Sequence, residues 1–102
     1  MNASSAIPLN PAITPKASVA EMESRLRQAL APAELQLQDD SHQHAGHAGA
    51  REGGHYSLLI VSERFTGLNR VARHRLVYHS LGELMQRGIH ALAIDARAPG
   101  ER

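Results

Sequence analysis

Apolar residues recur at helical spacing in two stretches of this chain and alternate or cluster in three others, in the order helix, strand, strand, helix, strand. Val19, Met22, Leu26 and Leu30 mark the first helix. Ser18 and Glu21 supply a Ser-x-x-Glu capping box at its start, and Pro32 stops it. Glu34-Leu35-Gln36-Leu37-Gln38-Asp39 alternates polar and apolar, which predicts a strand with one wet face. Tyr56 to Ser62 is more continuously apolar and predicts a more central strand. The stretch between them, Asp40 to Gly54, has four glycines, three histidines and no period, so the strands read as an antiparallel hairpin with an oversized tip.

Phe65-Thr66-Gly67-Leu68 reads as a turn into a long helix from Asn69 to Arg87, with Val77, Leu81, Leu84 and Met85 as its stripe and Gly88 as its stop. Ile89 to Asp95 is the last strand. A strand, helix, strand connection within one sheet is right-handed and leaves its two strands parallel. The expectation is therefore an α+β domain of order α-β-β-α-β. Its three-stranded mixed sheet carries both helices on one face and Ile89, Ala91 and Ala93 on the other.

A chain of 102 residues makes one domain. Prolines at 8, 11 and 15 and the lack of any period make residues 1–16 a disordered leader, followed by a domain over 17–98 and a short tail over 99–102. Formal net charge is +1, and Lys16 is the only lysine beside ten arginines. That balance favours planar, bidentate contacts over diffuse adhesion to nucleic acid or lipid. No apolar run approaches the length of a membrane span, and the leader has the features of neither a secretory signal nor a mitochondrial presequence. A cytoplasmic protein is the default expectation, and the lack of cysteine excludes a disulfide framework.

Seven histidines change the picture. His42, His44 and His47 lie in the glycine-rich stretch, and His90 interrupts the apolar run Ile89-His90-Ala91-Leu92-Ala93-Ile94. Loop imidazoles facing one fixed imidazole point to a soft-metal site, but this chain alone cannot supply the thiolates of an iron–sulfur cluster or a closed zinc site. The plainer alternatives are a solvated loop with adventitious affinity for Zn²⁺ or Ni²⁺ and a strand-edge His90 bonded to a carbonyl. His55 and His79 read as ordinary surface histidines, and His74 as a structural histidine beneath the second helix. Arg70 and Arg73 are candidates for contact with an acidic partner, a glutathione carboxylate or phosphate, and Arg75 points to the opposite side of the helix.

Three local patterns coincide: Asp39-Asp40-Ser41-x-x-His44; Val61-Ser62-x-x-Phe65-x-Gly67 leading into Arg73-His74-Arg75; and Ile89-His90-Ala91-Leu92-Ala93-Ile94. In combination, over roughly Ser18 to Arg97, they resemble the BolA family. The resemblance implies a type II KH-like fold, in agreement with the order read above. It also implies a non-enzymatic adaptor that pairs with a monothiol glutaredoxin around a shared [2Fe–2S] cluster, with glutathione bound through that partner. Roles in iron–sulfur trafficking and iron regulation follow, with transcription and morphology added in bacteria. It makes His90 a cluster ligand and His44 the loop ligand, with His47 or His42 as alternatives, and leaves the isolated protein without a cofactor, as a monomer or weak homodimer. Replacing sulfur by neutral imidazole on one iron raises the reduction potential, and acid weakens the ligation.

The competing expectation is a KH-like regulator that contacts DNA through Arg70, Arg73 and Arg75. Against it, Gly67-Leu68-Asn69-Arg70 has only the first glycine of a G-x-x-G clamp, and three aromatics offer no stacking platform. Enzyme motifs are missing: no cysteine nucleophile, no G-x-S-x-G, no H-E-x-x-H and no phosphate loop with its lysine.

Overall fold

The computed structural model describes residues 16–41 and 54–101. Helix α1 spans Val19–Leu30, strand β1 Glu34–Asp39, strand β2 Gly54–Val61, helix α2 Arg70–Leu81 and strand β3 Ile89–Arg97, with 3-10 turns at Glu63–Phe65 and Gly82–Gln86. The capping box is present: the Glu21 N–H donates to the Ser18 hydroxyl at 3.0 Å, and the Ser18 N–H donates to the Glu21 carboxylate at 3.1 Å. The helix ends on Ala31, which takes the left-handed conformation at φ 43°. The buried Ser62 hydroxyl then donates to the last helical carbonyl, Leu30, at 2.6 Å.

The sheet order is β1-β2-β3, with β1 antiparallel and β3 parallel to β2. Alternation along β2 points Tyr56, Leu58 and Ile60 into the core, where Met22, Leu26, Leu30, Phe65, Val77, Leu81 and Leu84 cover them. Each such side chain contributes roughly 1.5–3 kcal/mol on burial. Among the described residues, no helix covers the opposite face. There Gln36, Gln38, Ser57, Leu59, Ala93 and Asp95 line a shallow trough of about 300 Å³.

Three expectations need correction. The second helix does not run to Arg87: it ends at Leu81, Gly82 takes φ 57°, and the chain tightens into a 3-10 turn. Arg25 stabilises this break by donating to the Leu81 carbonyl at 3.2 Å and clasping Glu83 with both terminal nitrogens. Leu84 still reaches the core because a residue three places after Leu81 returns to the same side of either helix type. β2 and β3 also extend beyond their expected runs, β2 starting at Gly54 and β3 ending at Arg97, while β1 spans Glu34–Asp39 as expected.

The third correction concerns strand polarity. Gly54 pairs with Ile89 but His55 pairs with Ala91, so His90 is an extra residue in β3. Strict alternation would set His90 on the same side as Leu92 and Ile94 and expose Ile89. The bulge reverses this, placing Ile89 in the core and His90 at the surface, while Ala91 and Ala93 remain on the open face.

Candidate functional site

His90 leaves the bulge beside His55, with ring centroids 5.2 Å apart and planes tilted by 54°. His90 is exposed and His55 half-buried. The residues that carry the Asp39-Asp40-Ser41 pattern hold His55 from the neighbouring strand. The Asp40 N–H donates to the His55 carbonyl at 2.7 Å, and the His55 N–H donates to the Ser41 hydroxyl at 3.0 Å. Ser41 is itself set by its N–H donating to the Asp39 carboxylate at 2.9 Å, and the Ser57 hydroxyl donates to the Asp40 carboxylate.

The far end of the histidine-rich stretch returns to the same place. The Gly54 N–H donates to the Gly88 carbonyl at 2.6 Å, two residues before His90. The Tyr56 ring lies over Gly54 and allows no side chain there, because a Cβ would come within 2.5 Å of it. The Lys16 ammonium stands 5.9 Å from the centroid of that ring. Ser41, Gly54, His55 and His90 therefore share one end of the sheet. His42, His44 and His47 lie outside the described residues.

The donor set has a clear chemical character. Among the described residues no group of three or more histidine, cysteine or acidic side chains could hold a metal ion. His55 and His90 set two imidazoles side by side at this end of the sheet, and the chain supplies no thiolate. Sequence alone makes His55 a surface histidine, whereas the structure half-buries it beside His90. Only its position at the mouth of the loop, directly opposite the Ile89-His90-Ala91 run, could have signalled otherwise.

The arginines divide. Arg73 is held within the fold: its Nε donates to the Leu68 carbonyl at 2.8 Å, and Nη1 donates to the Ala96 carbonyl at 3.1 Å. Its outer edge grips Glu101 at 2.6 and 2.9 Å. Arg70 and Arg75 are exposed. Arg70, Arg73 and His74 line a groove of about 530 Å³ against Ile94, Asp95 and Ala96 of β3. His79 is exposed on α2, as its sequence position implies. Among the described residues no helix is long and apolar enough to cross a membrane.

The family model described as BolA-like protein matches residues 26–101. The chain is 46% identical over 84 residues to Protein BOLA1, chloroplastic, of Arabidopsis thaliana, covering 78% of this chain and 52% of that protein. It thus spans about half the length of that relative. It is 38% identical over 73 residues to the DNA-binding transcriptional regulator BolA of Escherichia coli, covering 72% of this chain and 68% of that one. Neither of these relatives is named as an enzyme. Among solved structures, BolA1 from Arabidopsis thaliana superposes with a TM-score of 0.69 at 43% identity, covering 81% of this chain and 93% of the other. The solution structure of BolA1 from Mus musculus gives 0.66 at 38% identity, covering 91% and 76%. Family model, sequence and fold agree, and the chain belongs to the BolA family.

Proposed function

We propose that this protein is a non-enzymatic adaptor that pairs with a monothiol glutaredoxin around a shared [2Fe–2S] cluster, in iron–sulfur trafficking or iron-dependent regulation, in the cytoplasm. The observation that carries the reading is the His55–His90 pair, set at the sheet end from which the histidine-rich stretch departs and to which it returns. His90 is the fixed ligand, exposed by the bulge and backed by the core residues Ile89 and Leu92. His44, three residues after Ser41, is the loop ligand, with His42 and His47 as its neighbours in sequence. When bound, the cluster supplies one-electron chemistry and an iron–sulfur unit for transfer.

This chain's own residues perform three tasks in that scheme. The bulge aims the His90 ring outward, the Asp40 and Ser41 bonds hold the base of the loop beside it, and His55 buttresses the ring. Both coordinating nitrogens must be unprotonated, so the complex weakens in acid. Glutaredoxin and glutathione provide the sulfur donors that the chain lacks.

The test mixes the protein with cluster-loaded monothiol glutaredoxin and glutathione and records visible circular dichroism and native mass. A 1:1 complex with an altered spectrum is expected, lost in His90→Ala and changed in His44→Ala. Absence of any complex would falsify the reading.

A second reading, DNA contact with transcriptional output, draws support from the similarity to the Escherichia coli regulator. Exposed Arg70 and Arg75 are then the phosphate contacts. Mobility shifts at physiological salt with Arg70→Gln and Arg75→Gln decide it, and unchanged binding excludes that surface.

A further inference from the structure

Arg73 bonds the Ala96 carbonyl, and Ala96 stands six residues beyond His90 in β3, so the two sites lie about 20 Å apart along the strand. The Arg73 guanidinium is oriented from behind by the carbonyls of Leu68 and Ala96, which leaves one edge of its fork facing outward. That edge holds the Glu101 carboxylate bidentately, and the Ala98 N–H donates to the same carboxylate at 3.1 Å. A planar cation fixed on two sides and completed by a backbone N–H is a receptor shaped for one carboxylate. Its present occupant is supplied by the chain itself, from a turn through Gly100 at φ 88°, and keeps 45% of its side chain exposed.

We propose that the Arg73 fork receives a carboxylate carried by an acidic segment of a partner protein, and that Glu101 is an internal stand-in which this segment displaces. The groove beside the fork favours a peptide over a polyanion. Leu68 and Ile94 offer it an aliphatic wall, which an apolar side chain of a peptide can cover and a run of phosphates cannot. Arg97 already spends its own fork on Asp95, at 2.9 and 2.8 Å, so among the described residues lining the groove Arg70 and Arg73 are the arginines that meet the incoming group. One acidic residue beside one aliphatic residue matches that pattern of charge. Tethering Glu101 in the site lowers apparent affinity by the fraction of time the site is closed, so releasing it strengthens binding.

The experiment uses the full chain without cluster or glutaredoxin, which separates its outcome from that of the adaptor reading. The arginine Nε–Hε signals are followed by ¹⁵N NMR while acetyl-Leu-Gly-Glu-amide is added to wild type, Glu101→Gln and Arg73→Lys. Glu101→Gln is expected to bind the peptide about five-fold more tightly than wild type, the gain set by opening a bidentate surface pair. Arg73→Lys keeps the charge and loses the fork, and is expected to bind the peptide more weakly than wild type, read at the Arg70 signal. The glutamine version of the peptide is expected to leave the Arg73 signal unmoved. Equal affinity of wild type and Glu101→Gln overturns the proposal. So does a glutamine peptide that binds as well, or tighter binding of inorganic phosphate or a twelve-nucleotide single-stranded DNA.

Discussion

The His90 ring rests 5.2 Å from that of His55 because one extra residue in β3 turns it out of the core. An exposed side chain at a bulge contributes little to packing, whereas half-buried His55 is part of the wall behind it. His90→Ala is therefore expected to shift stability by no more than about 0.5 kcal/mol and His55→Ala to cost roughly 1 kcal/mol, read from urea midpoints at constant slope. Equal costs at the two positions would contradict the division of labour between a ligand and its support.

Gly54 has a different constraint, since a Cβ built there meets Tyr56 ring atoms at 2.5 to 2.7 Å. The ring is buried and cannot move aside without opening the core beneath the bulge. Gly54→Ala is expected to destabilise by about 1–3 kcal/mol, as overpacking does. It should also displace the His55 and His90 ring signals in NMR, because Gly54 pairs with Ile89 and neighbours both. A stable variant with unmoved histidine signals would show that the tyrosine yields freely.

Much of this arrangement was legible in the sequence, for identifiable reasons. The capping box, the alternation of β1 and the turn before α2 are local signals, and each sets its own element. The end of α2 was hidden because Leu81 and Leu84 satisfy both helical and 3-10 spacing, which masks Gly82 as the stop; Gly82 at φ 57° and the Arg25 bonds from α1 together hold the break. The polarity of β3 was hidden as well. A bulge leaves no mark in a run such as Ile89-His90-Ala91-Leu92 and shows only in the pairing, where Gly54 meets Ile89 but His55 meets Ala91. The sequence marked His90 as unusual; pairing with β2 brought His55 to it.

Ser62 tests how firmly the two halves of the fold are joined. Its hydroxyl donates to the Leu30 carbonyl at 2.6 Å and accepts from the Arg64 N–H at 3.1 Å, bridging the end of α1 to the turn after β2. The residue is buried, so no water replaces it readily. Ser62→Ala leaves a buried carbonyl unpaired and is expected to cost about 1–3 kcal/mol. A loss no larger than that of an exposed serine, such as Ser24→Ala, would mean that another donor reaches Leu30.

Acid sensitivity follows from two of the bidentate arginine pairs, Arg25–Glu83 and Arg73–Glu101. Hydrogen bonding from Arg25 holds the Glu83 carboxyl down from 4.5 to about 2, and Arg73 does the same for Glu101. A carboxyl whose value falls on folding makes the unfolded chain the better proton binder, so its stabilisation is fully present above about 4.5 and is lost as pH falls toward 2. The urea midpoint is therefore expected to stay level with respect to these groups above pH 5 and to decline through that window. Glu83→Gln and Glu101→Gln should each lower the midpoint at neutral pH and flatten the decline, and the double variant should flatten it further. The two pairs tie separate parts of the fold, α1 to the 3-10 turn and α2 to the residues after β3, so their effects should add. A double variant that falls as steeply as wild type between pH 4.5 and 2 would assign the acid response to other carboxylates, among them Glu21, lowered by the Ser18 backbone and Arg87, and Asp95, lowered by Arg97.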